Sequence, residues 1–106
     1  MREPLHNRRI NQTQTFERDG IRITLTVGFY PNGTPGEIFL NADRADSMLD
    51  VLMSDAAIIA SLALQNGVTL EQIAHALKRD KFGIASSPFG AAIDRISDLE
   101  VIDAEK

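Results

Sequence analysis

The stretch IRITLTVGFYPNGTPGEIFLN, residues 21–41, decides the fold of this chain. In residues 21–29 apolar side chains alternate with polar or small ones, a period of two that predicts a strand with one buried face. Pro31, Asn32 and Gly33 then predict a tight turn, because proline presets φ and Asn-Gly tolerates positive φ. A second strand, about Gly36 to Asn41, is expected to follow the turn.

Another turn precedes this stretch at Asp19-Gly20, a pair that adopts the positive φ angles of a tight hairpin. Residues Thr15 to Arg18 are therefore expected to pair antiparallel with the strand that begins at Ile21. The three strands would form an antiparallel meander, one face of which needs a cover.

A long apolar helix, from Ser47 to Gln65, is predicted to supply that cover. Its apolar residues form two neighbouring stripes, namely Leu49, Leu52, Ala56, Ile59 and Ala63 on one and Met48, Val51, Ile58 and Leu62 on the other. A helix that is apolar over most of its girth is expected to be central and buried. Asp residues near its start suit the helix dipole, and Asn66-Gly67 favours a left-handed C-cap.

Two shorter helices complete the pattern. Thr69 and Gln72 predict the capping box of a second helix that extends to about Arg79. Ser87 is expected to cap a third helix with Pro88 in its first turn. The residues that this helix directs at the core are Phe89, Ala92, Ile93 and Ile96. The predicted fold class is α+β: a three-stranded antiparallel β-meander followed by three helices (βββααα), the first helix long and central.

Length and composition suit one such domain. The chain has 106 residues, of which 43% are hydrophobic and 25% charged, as in average globular proteins. Residues 1–11, which include Arg2, Arg8 and Arg9, are predicted to form a basic N-terminal arm. Residues 12–97 are predicted to form the domain, and residues 98–106 an acidic C-terminal tail.

Charge and cysteine content exclude several functions. The formal net charge of −4 argues against nucleic acid as a partner, despite the arginines of the arm. The absence of cysteine removes disulfides, thiolate metal sites and cysteine nucleophiles. The N-terminus lacks the apolar run of a secretory signal, and the nearly uncharged run 56–68 is too short to span a bilayer. A cytoplasmic protein without a membrane partner is expected.

The sequence does not present a catalytic constellation. His6 and His75 lack the spacing from other histidines or carboxylates that zinc and iron ligands need. Asp50 and Asp55 fall on different faces of the predicted helix rather than pairing as acid and base. The serines lie outside any G-x-S-x-G turn. We therefore expect neither an enzyme nor a bound cofactor or metal.

The most ligand-like segment is KFGIASSPFG, residues 81–90, because a Gly/Ser run that enters a helix presents free amides to an anion. Lys81, Ser86, Ser87 and Gly90 are the candidate ligand-binding residues. The competing interpretation is that Ser87 only caps the helix and Phe89 only packs, since Ser-Pro commonly begins helices for structural reasons.

Three further residues are candidates for an interaction role. Glu37 stands at the start of the third strand, where its carboxylate is either solvated or anchors an arginine of the N-terminal arm. Arg8 and Arg9 are the arm residues considered for such a contact.

Three runs taken together resemble a known family. They are VGFYPNGTPGEIFLN (residues 27–41), MLDVLMSDAAIIASLALQNGVTLEQIAHAL (48–77) and KFGIASSPFGAAIDRI (81–96), and their order and spacing are similar to the TSCPD domain. This domain occurs near the C-terminus of adenosylcobalamin (vitamin B12)-dependent ribonucleotide reductases and as short stand-alone proteins. The cysteine of the motif that names the family is missing, and Ser86, Ser87 and Pro88 stand about where it would fall.

The resemblance implies a scaffold without the family's redox chemistry. A ribonucleotide reductase uses a thiyl radical and a reducing cysteine pair inside a large barrel, and these 106 residues contain neither the cysteines nor the barrel. We expect a non-catalytic accessory or regulatory module that acts through protein contacts. A homodimer is the expected assembly, and a ribonucleotide reductase or another nucleotide-metabolism protein is the expected partner. The alternative is a sensor that binds a nucleotide or another anion at the start of the third helix.

Overall fold

Three antiparallel strands open the chain and three helices follow. The computed structural model describes residues 3–5, 10–43 and 47–99. The strands are β1 (Ile10–Arg18), β2 (Ile21–Phe29) and β3 (Pro35–Ala42), and the helices are α1 (Met48–Gln65), α2 (Leu70–Ala76) and α3 (Pro88–Ser97). The strands form one sheet in the order β1-β2-β3. The predicted α+β class and element order are confirmed.

Both predicted turns join the strands. Asp19 and Gly20 have φ angles of 53° and 79°, the positive values that a tight hairpin requires. In the second turn the side chain of Asn32 accepts a hydrogen bond from the Thr34 amide at 3.0 Å. β1 begins at Ile10, opposite Phe29, and is therefore longer than the segment predicted to pair with β2.

The core lies between one face of the sheet and the inner sides of α1 and α3. Its most deeply buried side chains are Ile23, Leu25, Val27, Ile38, Leu40 and Ile93. The core residues predicted on α3 are confirmed: Ala92, Ile93 and Ile96 are buried, while Phe89 is partly buried against the same cluster. Alternation in β2 and β3 thus places their apolar residues on the covered face, except Phe39, which is exposed on the outer face.

α2 is shorter than predicted, because it ends at Ala76 rather than near Arg79. Leu77 already has an extended backbone, with φ −82° and ψ 152°. Arg79 then forms an antiparallel bridge with Ala85, and the Asp80 carboxylate accepts hydrogen bonds from the backbone amides inside that loop. Such side-chain-to-backbone bonds compete with helix continuation, which explains the early end of α2.

α1 is central, as predicted, but the expectation that it is a buried helix holds only for its inner side. Its buried apolar residues are Met53, Ala57, Ala60 and Leu64. By contrast, Leu52 and Ile59 are 58% and 67% exposed. The reason is the position of α1: among the described elements it packs mainly on β3, with fewer contacts to α3, and both lie on its inner side.

A polar stripe on α1 satisfies backbone groups of β3, one of the two edge strands of the sheet. Its four side chains recur at helical spacing. Two of them accept hydrogen bonds from β3 amides: Asp50 Oδ1 from Ala42 at 2.8 Å and Ser61 Oγ from Ile38 at 2.8 Å. The other two donate to β3 carbonyls: Ser54 Oγ to Leu40 at 3.2 Å and Gln65 Nε2 to Gly36 at 2.9 Å. Unpaired edge groups invite pairing with other chains, so α1 protects this edge.

By length and composition alone, α1 is also a candidate membrane span. It has 18 residues and a mean hydropathy of 1.5, with 28% of the segment buried inside the fold. Core helices of water-soluble proteins meet the same criterion, and here the polar stripe of α1 is hydrogen-bonded to a strand. These contacts give α1 a place in the α+β domain.

Candidate interaction surfaces

The predicted ligand-binding residues lie around the start of α3. Ser87 is the N-cap, and its hydroxyl accepts a hydrogen bond from the Gly90 amide at 3.0 Å. Gly90 is buried, and a Cβ built on it would lie 3.0 Å from the Cβ of Ala85. Ser86 is exposed, and Lys81 lies in the preceding turn with its ammonium 5.2 Å from the centre of the Phe82 ring. The capping role of Ser87 is therefore established, and anion binding here stays a prediction.

Arg18 reaches this segment from β1, a contact that sequence reasoning missed. Its guanidinium donates hydrogen bonds to the backbone carbonyls of Ala85 and Ser87. The signal in the sequence was weak: Arg18 follows Phe16 by two residues, so it shares the inner face of β1. Arg18 thus ties the entry of α3 to the sheet.

Arg79 and Asp94 form a second link, between the 79–85 loop and α3. The Arg79 guanidinium makes a bidentate contact with the Asp94 carboxylate, with N–O distances of 2.8 Å to Oδ2 and 2.6 Å to Oδ1. Arg79 also donates to the carbonyls of Gly83 and Ala74. The hydrogen bonds from Arg79 to the Asp94 carboxylate hold the pKa of that carboxyl below its ordinary value.

The Arg79–Asp94 pair predicts an acid-sensitive contribution to stability. Because the folded-state pKa of Asp94 is lowered, the ionised carboxylate adds stability above its ordinary pKa and loses it as the pH falls through the folded-state pKa. We expect Asp94→Asn to lower the urea midpoint at pH 7, and the gap to wild type to narrow toward pH 3. Asp43→Asn, at an exposed carboxylate, is the control; an Asp94→Asn gap that does not change with pH would contradict the prediction.

The candidate interaction residues are only partly described. Glu37 is half-buried on β3, opposite Gly28 of β2. Arg8 and Arg9, with Arg2 and His6, lie outside the described residues, as does most of the predicted acidic tail. The anchoring of an arm arginine by Glu37 stays a prediction.

The loop between α2 and α3 presents two apolar side chains to solvent. Phe82 is 77% exposed and Ile84 is 59% exposed. The Asp80 carboxylate accepts hydrogen bonds from the amides of both residues, at 2.8 and 3.0 Å. We call residues 80–84 the Phe82 turn. Its side chains are held out by a defined backbone, as an anchor for a protein contact requires.

α1 carries a larger exposed apolar surface, which we call the α1 stripe. Its members share the outward side of the helix and are Met48, Val51, Leu52, Asp55, Ile58, Ile59 and Leu62. The six apolar members are between 43% and 74% exposed. The sequence showed these residues as apolar at helical spacing, but that pattern is the same for a buried face and an uncovered one.

An open depression of about 960 Å³ lies between the β2–β3 turn and the α1–α2 connection. Among the described residues that line it, the charged ones are the carboxylates Glu3 and Glu71. Negative charges do not attract a phosphate group, so this depression does not add to the anion-binding hypothesis. Within the described ranges there is also no group of three or more His, Asp or Glu residues that could hold a metal ion.

Comparison with known proteins agrees with the resemblance seen in the sequence. The family model of the TSCPD domain matches residues 2–100. The chain is 37% identical over 81 residues to a vitamin B12-dependent ribonucleotide reductase of Agrobacterium fabrum, covering 76% of this chain and 6% of the relative. A vitamin B12-dependent ribonucleotide reductase of Rhodopirellula baltica is 35% identical over 81 residues, covering 76% of this chain and 8% of that protein.

These relatives are far longer than the chain, which spans less than a tenth of their length. No solved structure gives a significant match. The family model nevertheless covers nearly the whole chain, and the βββααα structure accounts for each of the three runs that carry the resemblance. The chain therefore belongs to the TSCPD domain family.

Proposed function

We propose that this chain is a non-catalytic accessory or regulatory module of ribonucleotide reduction, acting in the cytoplasm through protein contacts and self-association. The observation that carries the proposal is the exposed apolar surface at two places, the Phe82 turn and the α1 stripe. Exposed apolar patches on a folded domain mark interaction sites.

Family membership suggests the partner. The relatives are named as vitamin B12-dependent ribonucleotide reductases, in which the matching region is a small part of a long chain. A domain of that family that contacts the rest of a reductase needs a surface for the contact. We assign this role to the Phe82 turn, because an exposed aromatic side chain on a hydrogen-bonded turn suits a pocket on a partner.

The absence of cysteine supports a role without redox chemistry. Ribonucleotide reduction through a thiyl radical requires cysteine side chains, and these 106 residues contain none. Where the family motif carries its cysteine, the segment around Ser87 instead caps α3 through the Ser87 hydroxyl. On this proposal the fold serves as a binding scaffold.

The test is binding between the purified chain and the vitamin B12-dependent ribonucleotide reductase of the same organism, measured by biolayer interferometry. Phe82→Ser is expected to weaken binding by about tenfold or more, because truncation of a central aromatic anchor commonly costs that much. Phe39→Ser is the matched control, since Phe39 is 49% exposed on the outer face of the sheet. Absence of binding by wild type, or equal loss in both variants, would contradict the proposed contact.

A further inference from the structure

The α1 stripe has the same spacing in both directions from its centre. Counted outward from Asp55, apolar residues occur three, four and seven positions away on either side. The pairs are Leu52 and Ile58, Val51 and Ile59, and Met48 and Leu62. Residues at these intervals lie on one side of a helix. The stripe is therefore an apolar surface with a single carboxylate at its midpoint.

Such a surface is complementary to itself under a two-fold axis. When two helices lie antiparallel with the axis beside Asp55, Leu52 of one copy faces Ile58 of the other, and Val51 faces Ile59. An isologous interface requires this reciprocity: if residue i of one copy contacts residue j of the other, then residue j of the first copy contacts residue i of the second. Antiparallel helices also place opposite dipole ends side by side.

We propose that a second copy of this chain packs on the α1 stripe, with the two α1 helices antiparallel and the two-fold axis beside Asp55. The inference rests on the proposed self-association and adds to it the surface and the register.

The size of the stripe suits a dimer interface. At 18 residues and about 1.5 Å per residue, α1 is about 27 Å long. At roughly 100 Å² of exposed surface for each apolar member, the stripe supplies on the order of 600 Å² per copy, near the lower end of specific interfaces. Antiparallel pairing covers the stripe over its whole length.

The composition of the stripe favours a second copy over a transient partner. Its members are aliphatic apart from Asp55, and homodimer interfaces are more apolar than those of non-obligate complexes. The other two sides of α1 are already occupied: Met53, Ala57 and Ala60 pack in the core, and the polar stripe binds β3. A second copy is also present wherever the chain itself is made.

Asp55 selects the register. In a shifted register each Asp55 carboxylate would lie against aliphatic side chains, where a charge is costly to desolvate. With the axis beside Asp55, the two carboxylates face each other and share hydrating water. A single polar residue in an apolar helix seam specifies alignment at a cost in affinity. The predicted dimer is therefore specific but weakened by repulsion between two like charges.

The first experiment locates the interface by sedimentation velocity. Wild type is expected to dimerise at micromolar concentrations, and Ile59→Asp to lower the association constant by at least about a hundredfold. Phe39→Asp is the control, because Phe39 is 49% exposed and lies outside both the stripe and the Phe82 turn. Circular dichroism melting checks that Ile59→Asp remains folded. An Ile59→Asp dimer as stable as wild type would overturn the proposed surface.

The second experiment tests the register with a charge change at the axis. Asp55→Lys is mixed with wild type and the species are counted by native mass spectrometry. Opposite charges then face each other only in the mixed dimer, so in an equimolar mixture the ratio of mixed dimers to same-kind dimers, which is one for statistical mixing, should rise to about three at low salt. Asp43→Lys is the control and should mix statistically. Statistical mixing of Asp55→Lys would overturn the register.

These results also separate the inference from the proposed function. A wild type that stays monomeric at high concentration contradicts both the α1 dimer and self-association. A dimer that survives Ile59→Asp contradicts only the α1 surface. Reductase binding through the Phe82 turn is measured separately and does not depend on either result.

Discussion

Ile93→Ala is expected to lower the free energy of unfolding by about 2–5 kcal/mol, the range for isoleucine truncation in a closed core. Ile93 has 0% exposure and sits on α3 facing the sheet, within the cluster that includes Leu25 and Ile38. Removing its outer carbons loses the transfer free energy of those atoms and leaves a cavity that the surrounding strands cannot fill. For a domain with total stability of about 5–15 kcal/mol, the loss is a large fraction.

Urea unfolding followed by circular dichroism measures this effect. Ile84→Ala is the matched control, because the same side chain is truncated where it is 59% exposed. That variant should change the unfolding free energy by less than about 0.5 kcal/mol. Similar losses in both variants would mean that Ile93 is not closed into the core as the structure shows.

Ser61→Ala is expected to cost about 1–3 kcal/mol, although the change removes one oxygen atom. The Ser61 hydroxyl accepts a hydrogen bond from the Ile38 amide at 2.8 Å, and Ile38 is 1% exposed. Alanine leaves that amide without its acceptor in a site that water reaches poorly. The penalty is the desolvation of an unsatisfied backbone group rather than the modest net value of one hydrogen bond.

Ser97→Ala provides a control for this prediction. The hydroxyls of Ser61 and Ser97 each donate to the carbonyl four residues earlier in their own helix. The Ser61 hydroxyl in addition accepts a hydrogen bond from the Ile38 amide of β3. Ser97→Ala should be near neutral, because alanine favours helix and the lost bond is local. Thermal and urea unfolding of both variants give the comparison. A neutral Ser61→Ala would show that the Ile38 amide does not depend on the Ser61 hydroxyl for its hydrogen bond.

Turns and helix caps were predictable because they depend on interactions between residues that are close in the sequence. Asp19-Gly20 specifies a turn with positive φ at both residues, and the structure has φ 53° and 79° there. Thr69 and Gln72 form the predicted capping box, and Ser87 caps α3. In each case the interacting groups lie within a few residues of one another, so the sequence contains both partners.

The errors arose where distant groups decide the outcome. The loop that follows α2 is tied to α3 by the contact between Arg79 and Asp94, and the Arg18 contact joins residues far apart in the chain. The polar members of α1 showed the same limitation: Asp50 was assigned to the helix dipole, yet its carboxylate accepts from the Ala42 amide. Spacing alone does not show which neighbour a polar side chain meets.

By itself, the sequence determined the strands, the turns, the helix caps and the α+β class, because periodicity and turn chemistry are local properties. The family was indicated by the resemblance of three runs in the sequence to the TSCPD domain. Only the tertiary structure decided which side of α1 is core. Periodicity identifies apolar stripes but not their cover, and α1 is apolar on two of its three sides. Packing against β3 and α3 buries Met53, Ala57 and Ala60, and the hydrogen bonds of Ser61 and Gln65 set the rotation of the helix. That rotation leaves the α1 stripe exposed.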